Sequence, residues 1–187
     1  MSFHKNTGPD PKLDQLISQA VAKLQLNADF NDSKWLLVDV HEQCVVLVHG
    51  RAPQGSWPVS TAAAGIDNRQ DSGGTPPGAH RIARKIGAGS PSGTVFESRK
   101  PTGEVWQPGQ DSQADLILTR ILTLDGCEPG LNQGPDIDSH ERYIYLHGTN
   151  HEDRLGEPVS HGCVRLANTD ICELFDLVEE GDSVVII

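Results

Sequence analysis

Residues 143–168 read YIYLHGTNHEDRLGEPVSHGCVRLAN. The first five positions are rich in aromatic and β-branched side chains and predict a strand that ends on His147. Gly148 and Asn150 then turn the chain into a polar loop. Beyond Cys163, Asn168 stands where it can cap a helix, with Asp170 at its positive end. Ile171, Leu174, Phe175 and Val178 recur at helical spacing and mark that helix's apolar face. The stretch therefore carries His147, His151, His161, Cys163 and Arg165 within one strand–loop–helix unit.

Working outward, the C-terminal end 183–187 is a short apolar strand set off by Gly181. Upstream, 116–124 is strand-like, and 125–141 is a loop rich in Gly, Pro and Asp. Residues 87–114 hold many Gly, Pro and Ser and predict long excursions with short strands around Val95 and Val105. Further strands are expected at 35–40, 44–49, 57–61 and 80–86, with a hairpin turn at 41–43 and an exposed loop over 65–80. Leu13, Leu16, Ile17, Ala20 and Leu24 repeat at helical spacing, so 11–26 predicts a helix capped by Asp10, with Pro11 in the first turn and a polar break at Asn27. The expected architecture is mainly β, with one N-terminal helix and one helix after the cysteine loop. Residues 1–34 would be a helical extension and 35–187 the main domain. A chain of 187 residues suits one core of this kind, and 19 Gly and 12 Pro suit many short strands.

The formal net charge is −11, which repels phosphate backbones and argues against nucleic-acid binding. No run approaches the ~20 apolar residues of a membrane span. The first residues lack the basic start and apolar run of an export signal, so the expected compartment is the cytoplasm, or the periplasm if a leader precedes the sequence. Cys44, Cys127, Cys163 and Cys172 form no CxxC pair or zinc-ribbon spacing, and free thiols fit a reducing compartment, although an even count also allows two disulfides.

Cysteine chemistry needs a thiolate, hence a base or a positive charge nearby, and donors for a tetrahedral oxyanion. His147 lies sixteen positions before Cys163, at a strand end, and can serve as the base if the intervening loop folds back. Gly162 permits an unusual backbone turn, so that the N–H groups of Gly162 and Cys163 could face a carbonyl oxygen. The competing reading of Cys163 is an inert buried thiol, and of His147 a core histidine. His151, four residues after His147, would make a second metal ligand on a helix, with Cys163 as a third; Gly148 and Asn150 argue for a loop and against that. Cys44, Cys127 and Cys172 read as packing residues.

His147-Gly148-Thr149 followed by Ser160-His161-Gly162-Cys163-Val164-Arg165 resembles the signature of the YkuD-type L,D-transpeptidase catalytic domain. WLLVDV, CVVLVHGR, WPVSTAAAG and TPPGAHRI upstream, and LANTDICELFDLVEEGDSVVII downstream, are similar to that family's opening and closing segments. The likeness runs over roughly 35–187. Ala62-Ala63-Ala64 departs from the family's usual Gly there, and 65–75 and 87–114 are longer than a minimal domain needs. The resemblance implies an L,D-transpeptidase-like β-sandwich with Cys163 as nucleophile and His147 as the base, its ring oriented by the Gly148 carbonyl. It implies a supporting role for His161, an oxyanion hole near Gly162 and Cys163, and substrate contacts from Ser160 and Arg165, the latter either binding a carboxylate or anchoring the loop. It implies no metal and no organic cofactor, peptidoglycan stem peptides or muropeptides as substrates, and acylation by carbapenems. Combined with the expected compartment, it points to a cytoplasmic L,D-carboxypeptidase of muropeptide recycling. A periplasmic transpeptidase making 3–3 cross-links or exchanging D-amino acids, a non-catalytic peptidoglycan-binding module and a metal-dependent hydrolase are the alternatives.

Overall fold

Strand β1 (Lys34–Asp39) is apolar on both faces, and that decides where it sits. Alternation sends Leu36 and Val38 into one core and Trp35 and Leu37 into another, so the strand must be covered from both sides. The computed structural model describes residues 10–24, 33–110 and 114–187. Within them β1 pairs antiparallel with β2 (Cys44–His49) and parallel with the last strand, β10 (Ser183–Ile186). β2 continues into β3 (Ala52–Pro58), and β10 pairs with β4 (Gly78–Ile86). β4 lies against the long β7 (Ile117–Gly126), which also pairs with β5 (Thr94–Glu97), the inner strand of a hairpin with β6 (Lys100–Val105).

β7 carries the branch that builds the site. It pairs antiparallel with β8 (Tyr145–Gly148), and β8 pairs in parallel with β9 (Val164–Leu166). The register slips between Leu118 and Ile121, where Thr119 takes a positive φ of 71°. Isolated bridges Ser60↔Arg165 and Ala62↔Ser160 tie the chain after β3 to β9 and its approach. The sheet thus returns toward its starting edge and packs on itself. Leu36, Val45, Leu47, Trp57 and Val184 meet Leu122, Leu146, Val164 and Leu166 in one core, with Ile171, Leu174 and Phe175 of α2 (Asn168–Leu177) in the same cluster. Helix α1 (Pro11–Leu24) covers the other face, setting Ile17, Ala20, Val21 and Leu24 on Trp35, Leu37, Val46, Val48 and Val185. Each larger side chain so buried stabilises by roughly 1.5–3 kcal/mol at most.

The architecture is mainly β with an N-terminal helix and a helix after the cysteine loop, as expected. Several strand boundaries differ, β3 and β8 among them. α1 is described to Leu24, and the expected helical positions 25 and 26 and the break at Asn27 lie outside the described residues. β3 begins at Ala52, because hairpin pairing with β2 overrides the poor strand propensity of Pro53 and Gly55. β8 begins at Tyr145, because Tyr143 has a φ of 58°. Asn168 is not the N-cap of α2 either: Ala167 holds that position without a side-chain cap, and Glu152 Oε1 accepts the Asn168 N–H at 2.8 Å. Among the described residues no helix is long and apolar enough to cross a membrane.

Candidate active site

Leu146 on β8 and Val164 and Leu166 on β9 point into the main core. Their alternate neighbours must then face the other way. The parallel register sets His147 opposite Arg165, and Tyr145, His147, Cys163 and Arg165 share that second face. Cys163 immediately precedes β9. A strand spacing of about 4.8 Å and a rise of about 3.3 Å per residue put the α-carbons of His147 and Cys163 roughly 8 Å apart, a gap an imidazole and a thiol can close. The structure therefore brings the sequence-predicted cysteine and histidine to adjacent strands and one face.

His147 is buried, and its Nδ1 lies 2.8 Å from Gly148 O. A carbonyl only accepts, so Nδ1 carries the proton and Nε2 is left with a lone pair. Burial lowers the pKa of this ring, opposed by the Gly148 hydrogen bond and by Asp115. The Cys163 thiol is pushed up to about 11, chiefly by burial, while the N–H of Tyr145, Arg165 and Arg142 act in the opposite direction. Cys163 Sγ donates to Tyr143 O at 3.3 Å and packs against Phe96, Ile121 and Tyr145. Both shifts favour the uncharged forms, thiol and neutral imidazole.

The loop that presents Cys163 is braced from within. Ser160 Oγ donates to Cys163 O at 2.6 Å and accepts the Gly162 N–H at 3.2 Å. Gly162 has a φ of 127°, and a side chain there would crowd Gly74 O at 3.2 Å. Thr75 Oγ1 donates to Gly162 O at 2.9 Å and accepts the Ala62 N–H at 3.1 Å, which ties the loop to the segment after β3. Two expectations change here. Ser160 is buried with its hydroxyl engaged inside the loop, so it shapes the turn and does not offer a substrate contact. The Gly162 N–H is directed to Ser160, which removes it as an oxyanion donor in this conformation.

Arg165 is also sequestered. Its side chain is only 3% exposed and pairs with Asp115 Oδ2, which accepts from the same residue's Nη2. Of the two roles open to it, this placement fits loop anchoring and not carboxylate capture. Its buried Nε has no hydrogen-bond partner among the described residues. Asp115 also holds His161 Nδ1 at 3.2 Å, and the His161 side chain is 84% exposed at the mouth of the site. Asp115 raises and Arg165 lowers the pKa of both His147 and Cys163, so their fields oppose each other and burial sets the direction. Asp115 is invisible from sequence: a lone Asp after a Gly- and Pro-rich stretch reads as a solvated loop residue. His151 sits at the start of a short 3-10 turn, Glu152–Arg154, and among the described residues no group of three or more His, Cys, Asp or Glu is placed to hold a metal ion.

Gly148 has a second duty beyond its carbonyl. A Cβ there would stand 2.8 Å from Leu118 O and closer still to Asn168 Oδ1. Asn168 is buried and bonds Thr149 O at 2.8 Å, Glu152 Oε1 at 2.7 Å and the Thr119 hydroxyl at the β7 bulge. Neither neighbour can yield without breaking that network. Gly148→Ala is expected to lower unfolding stability by about 1–3 kcal/mol, read as a lower urea midpoint at unchanged slope. An unaltered midpoint would show that the strands can separate there without loss.

Around this site the acidic chain gathers cations. Arg99 Nε donates to Tyr145 Oη at 2.7 Å, its guanidinium lies 4.5 Å from the Tyr143 ring centre, and it is bonded to His140. Arg142 adjoins Tyr143 on the other side. Tyr143 itself is 52% exposed and stacks edge-on against Tyr145 at 6.2 Å.

A family model described as the L,D-transpeptidase catalytic domain (YkuD) matches residues 33–186. The curated protein named "Probable L,D-transpeptidase ErfK/SrfK" of Salmonella typhimurium is 38% identical over 95 residues, covering 48% of this chain and 29% of that protein. "Probable L,D-transpeptidase YbiS" of Escherichia coli K12 is 35% identical over 97 residues, covering 49% and 30%. The matches therefore span less than a third of those relatives' length. Among solved structures, L,D-transpeptidase 3 of Mycobacterium tuberculosis superposes with a TM-score of 0.53 at 15% identity, covering 83% of this chain and 61% of that one. LdtMt1 in complex with imipenem gives 0.52 at 17% identity, covering 83% and 59%. At such identities the superpositions speak for the fold alone.

Proposed function

Because the chain belongs to the L,D-transpeptidase catalytic domain family, we propose that it performs cysteine-dependent acyl transfer on peptidoglycan stem peptides, with Cys163 as nucleophile and His147 as base. The observation that carries this is the ring of His147, locked with Nδ1–H on Gly148 O and Nε2 free, on the same sheet face as Cys163. In the first half-reaction the thiol proton passes to His147 Nε2 as sulfur bonds to the carbonyl carbon of the L,D-linked bond before a terminal D-alanine. The tetrahedral centre collapses, the C–N bond breaks, and His147 returns the proton to the departing D-alanine amine. A thioester remains. In the second half-reaction an acceptor loses its proton to His147, attacks the thioester carbonyl and releases the thiol.

An amine acceptor gives transpeptidation, the activity for which the curated relatives are named, or D-amino-acid exchange. Water gives an L,D-carboxypeptidase. The exposure of His161 and Tyr143 favours keeping this second reading, because it leaves a route for water to a thioester on Cys163. The cytoplasm and recycled muropeptides go with the water outcome; the periplasm and polymerised wall go with the amine outcome. A defined disaccharide-tetrapeptide, incubated with and without a D-amino acid, separates them by mass spectrometry. Cross-linked or exchanged products support the amine branch, and tripeptide alone supports the water branch. Full recovery of unreacted tetrapeptide with no adduct on Cys163 would refute the acyl-transfer reading. Acylation by a carbapenem such as imipenem should add the drug's mass to Cys163 in the same assay.

A further inference from the structure

With Arg165 closed off by Asp115, a cation able to meet an anionic substrate beside Cys163 has to come from another element. Arg142 occupies that place. Its Nη2 donates to Gly74 O at 2.8 Å and Ser72 Oγ at 3.3 Å, and its Nη1 donates to Asp67 O at 3.2 Å. Gly74 O in turn lies against Gly162, within 3.2 Å of where a Cβ would be. On its other flank the next residue's carbonyl, Tyr143 O, receives the Cys163 thiol at 3.3 Å. The guanidinium is therefore held next to the nucleophile from both sides, through Gly74 to Gly162 and through Tyr143 to the sulfur.

Three neutral oxygens orient this group. Arg69, Arg81, Arg154 and Arg165 each hold a carboxylate, whereas Arg142 makes no ion pair among the described residues. Asp67, whose carbonyl it uses, turns its carboxylate to Arg69 at 2.6 Å. A guanidinium has five N–H donors. Three are engaged, so among the described residues the Nε–H and one Nη1–H remain to donate to an anion. Arg142 is also half-buried, so a carboxylate reaching it displaces little water. We propose that Arg142 binds the terminal carboxylate of the acyl donor, so that the site takes peptides ending one residue beyond the scissile bond.

The chemistry fits the spacing. The carboxylate of the departing residue lies about one residue length, ~3.8 Å, from the attacked carbonyl. A cation adjoining the nucleophile meets that group and not one further along the stem. A peptide extended by another residue, or capped as an amide, presents no anion at this point and leaves the guanidinium unpaired.

This inference rests on the proposed reaction, and binding can be measured apart from turnover. In a Cys163→Ala background, calorimetry compares a tetrapeptide stem bearing a free terminal carboxylate with its C-terminal amide. The acid should bind roughly 10–100-fold more tightly than the amide. Adding Arg142→Gln should remove that preference by weakening the acid alone, and Arg142→Lys should restore part of it. Ser72→Ala, which deletes the bonds that Ser72 Oγ accepts from Arg142 and from the Gly74 N–H but keeps the guanidinium, should leave the preference intact and so separates recognition from loop anchoring. Equal binding of acid and amide in the Cys163→Ala background, or a preference that survives Arg142→Gln, would overturn the proposal. So would parallel loss of both ligands in Arg142→Gln. Acid preference without turnover in the unmutated protein would instead count against the proposed reaction alone.

Discussion

Cys163→Ala is expected to fold as the unmutated protein does and to release D-alanine at least about 10⁴-fold more slowly, because Cys44 and Cys127 pack against the α1-side core and Cys172 lies on α2, which leaves Cys163 as the thiol on the His147 face. Sγ packs against Phe96, Ile121 and Tyr145, so its loss leaves only a small void at a site already partly open. Turnover by this variant near the unmutated rate would end the assignment of the nucleophile. Cys163→Ser tests the same claim more narrowly, since an alcohol is far harder to deprotonate and the serine variant should be nearly as inactive as the alanine one. The unmutated thiol carries a second signature. Burial pushes it up to about 11, so the free protein holds little thiolate at neutral pH. Its alkylation by iodoacetamide should be slow at pH 7 and climb with pH toward that value. Fast alkylation at pH 7 would mean a preformed thiolate–imidazolium pair, and His147 would then assist the leaving group without activating the nucleophile.

Elements whose own periodicity matches their burial were readable from the amino acids. β1, β2 and β10 are continuous apolar runs covered on both faces, and α2 shows its buried Ile171, Leu174 and Phe175 at helical spacing. What escaped reading is what another part of the chain decides. β3 starts early because β2 recruits a Pro- and Gly-containing segment. Asn168 looks like a cap, yet Glu152 caps the helix from a separate turn and frees Asn168 to join the β7 bulge to β8. The site divides the same way. His147 and Cys163 stand out as chemistry-bearing residues at a strand end and a glycine turn. Asp115, Thr75 and Arg142 do not, because a loop Asp, a turn Thr and an arginine in a polar stretch look solvated until the fold sets them against Arg165, Gly162 and Tyr143. Ser160 and Arg165 show the converse: they stand out in the motif, and the fold turns both inward to brace the loop, which is one of the two roles the sequence left open for Arg165.

The other large effect concerns His147 and is best read as a pH profile. The active form needs Nε2 unprotonated and the thiol still bearing the proton that Nε2 will take. Burial lowers the ring below the ordinary histidine value of about 6.5. The acid limb of kcat/KM should therefore lie below about pH 6.5, falling tenfold per pH unit beneath the shifted value as the imidazole protonates. Above that limb activity should stay level through neutral pH, because the thiol does not lose its own proton until near 11. His147→Gln removes the base while keeping an amide that can still donate to Gly148 O. Activity at pH 7 should drop by about 10²–10⁴-fold. The shape should change as well: with no imidazole to protonate, the acid limb disappears, and what remains should rise with pH in proportion to thiolate, toward the same value near 11. A merely structural histidine would give a variant that is weaker at every pH but keeps the parent's profile. An acid limb that survives in His147→Gln would therefore assign the base to a different residue, with the exposed His161, held by Asp115, the next to test.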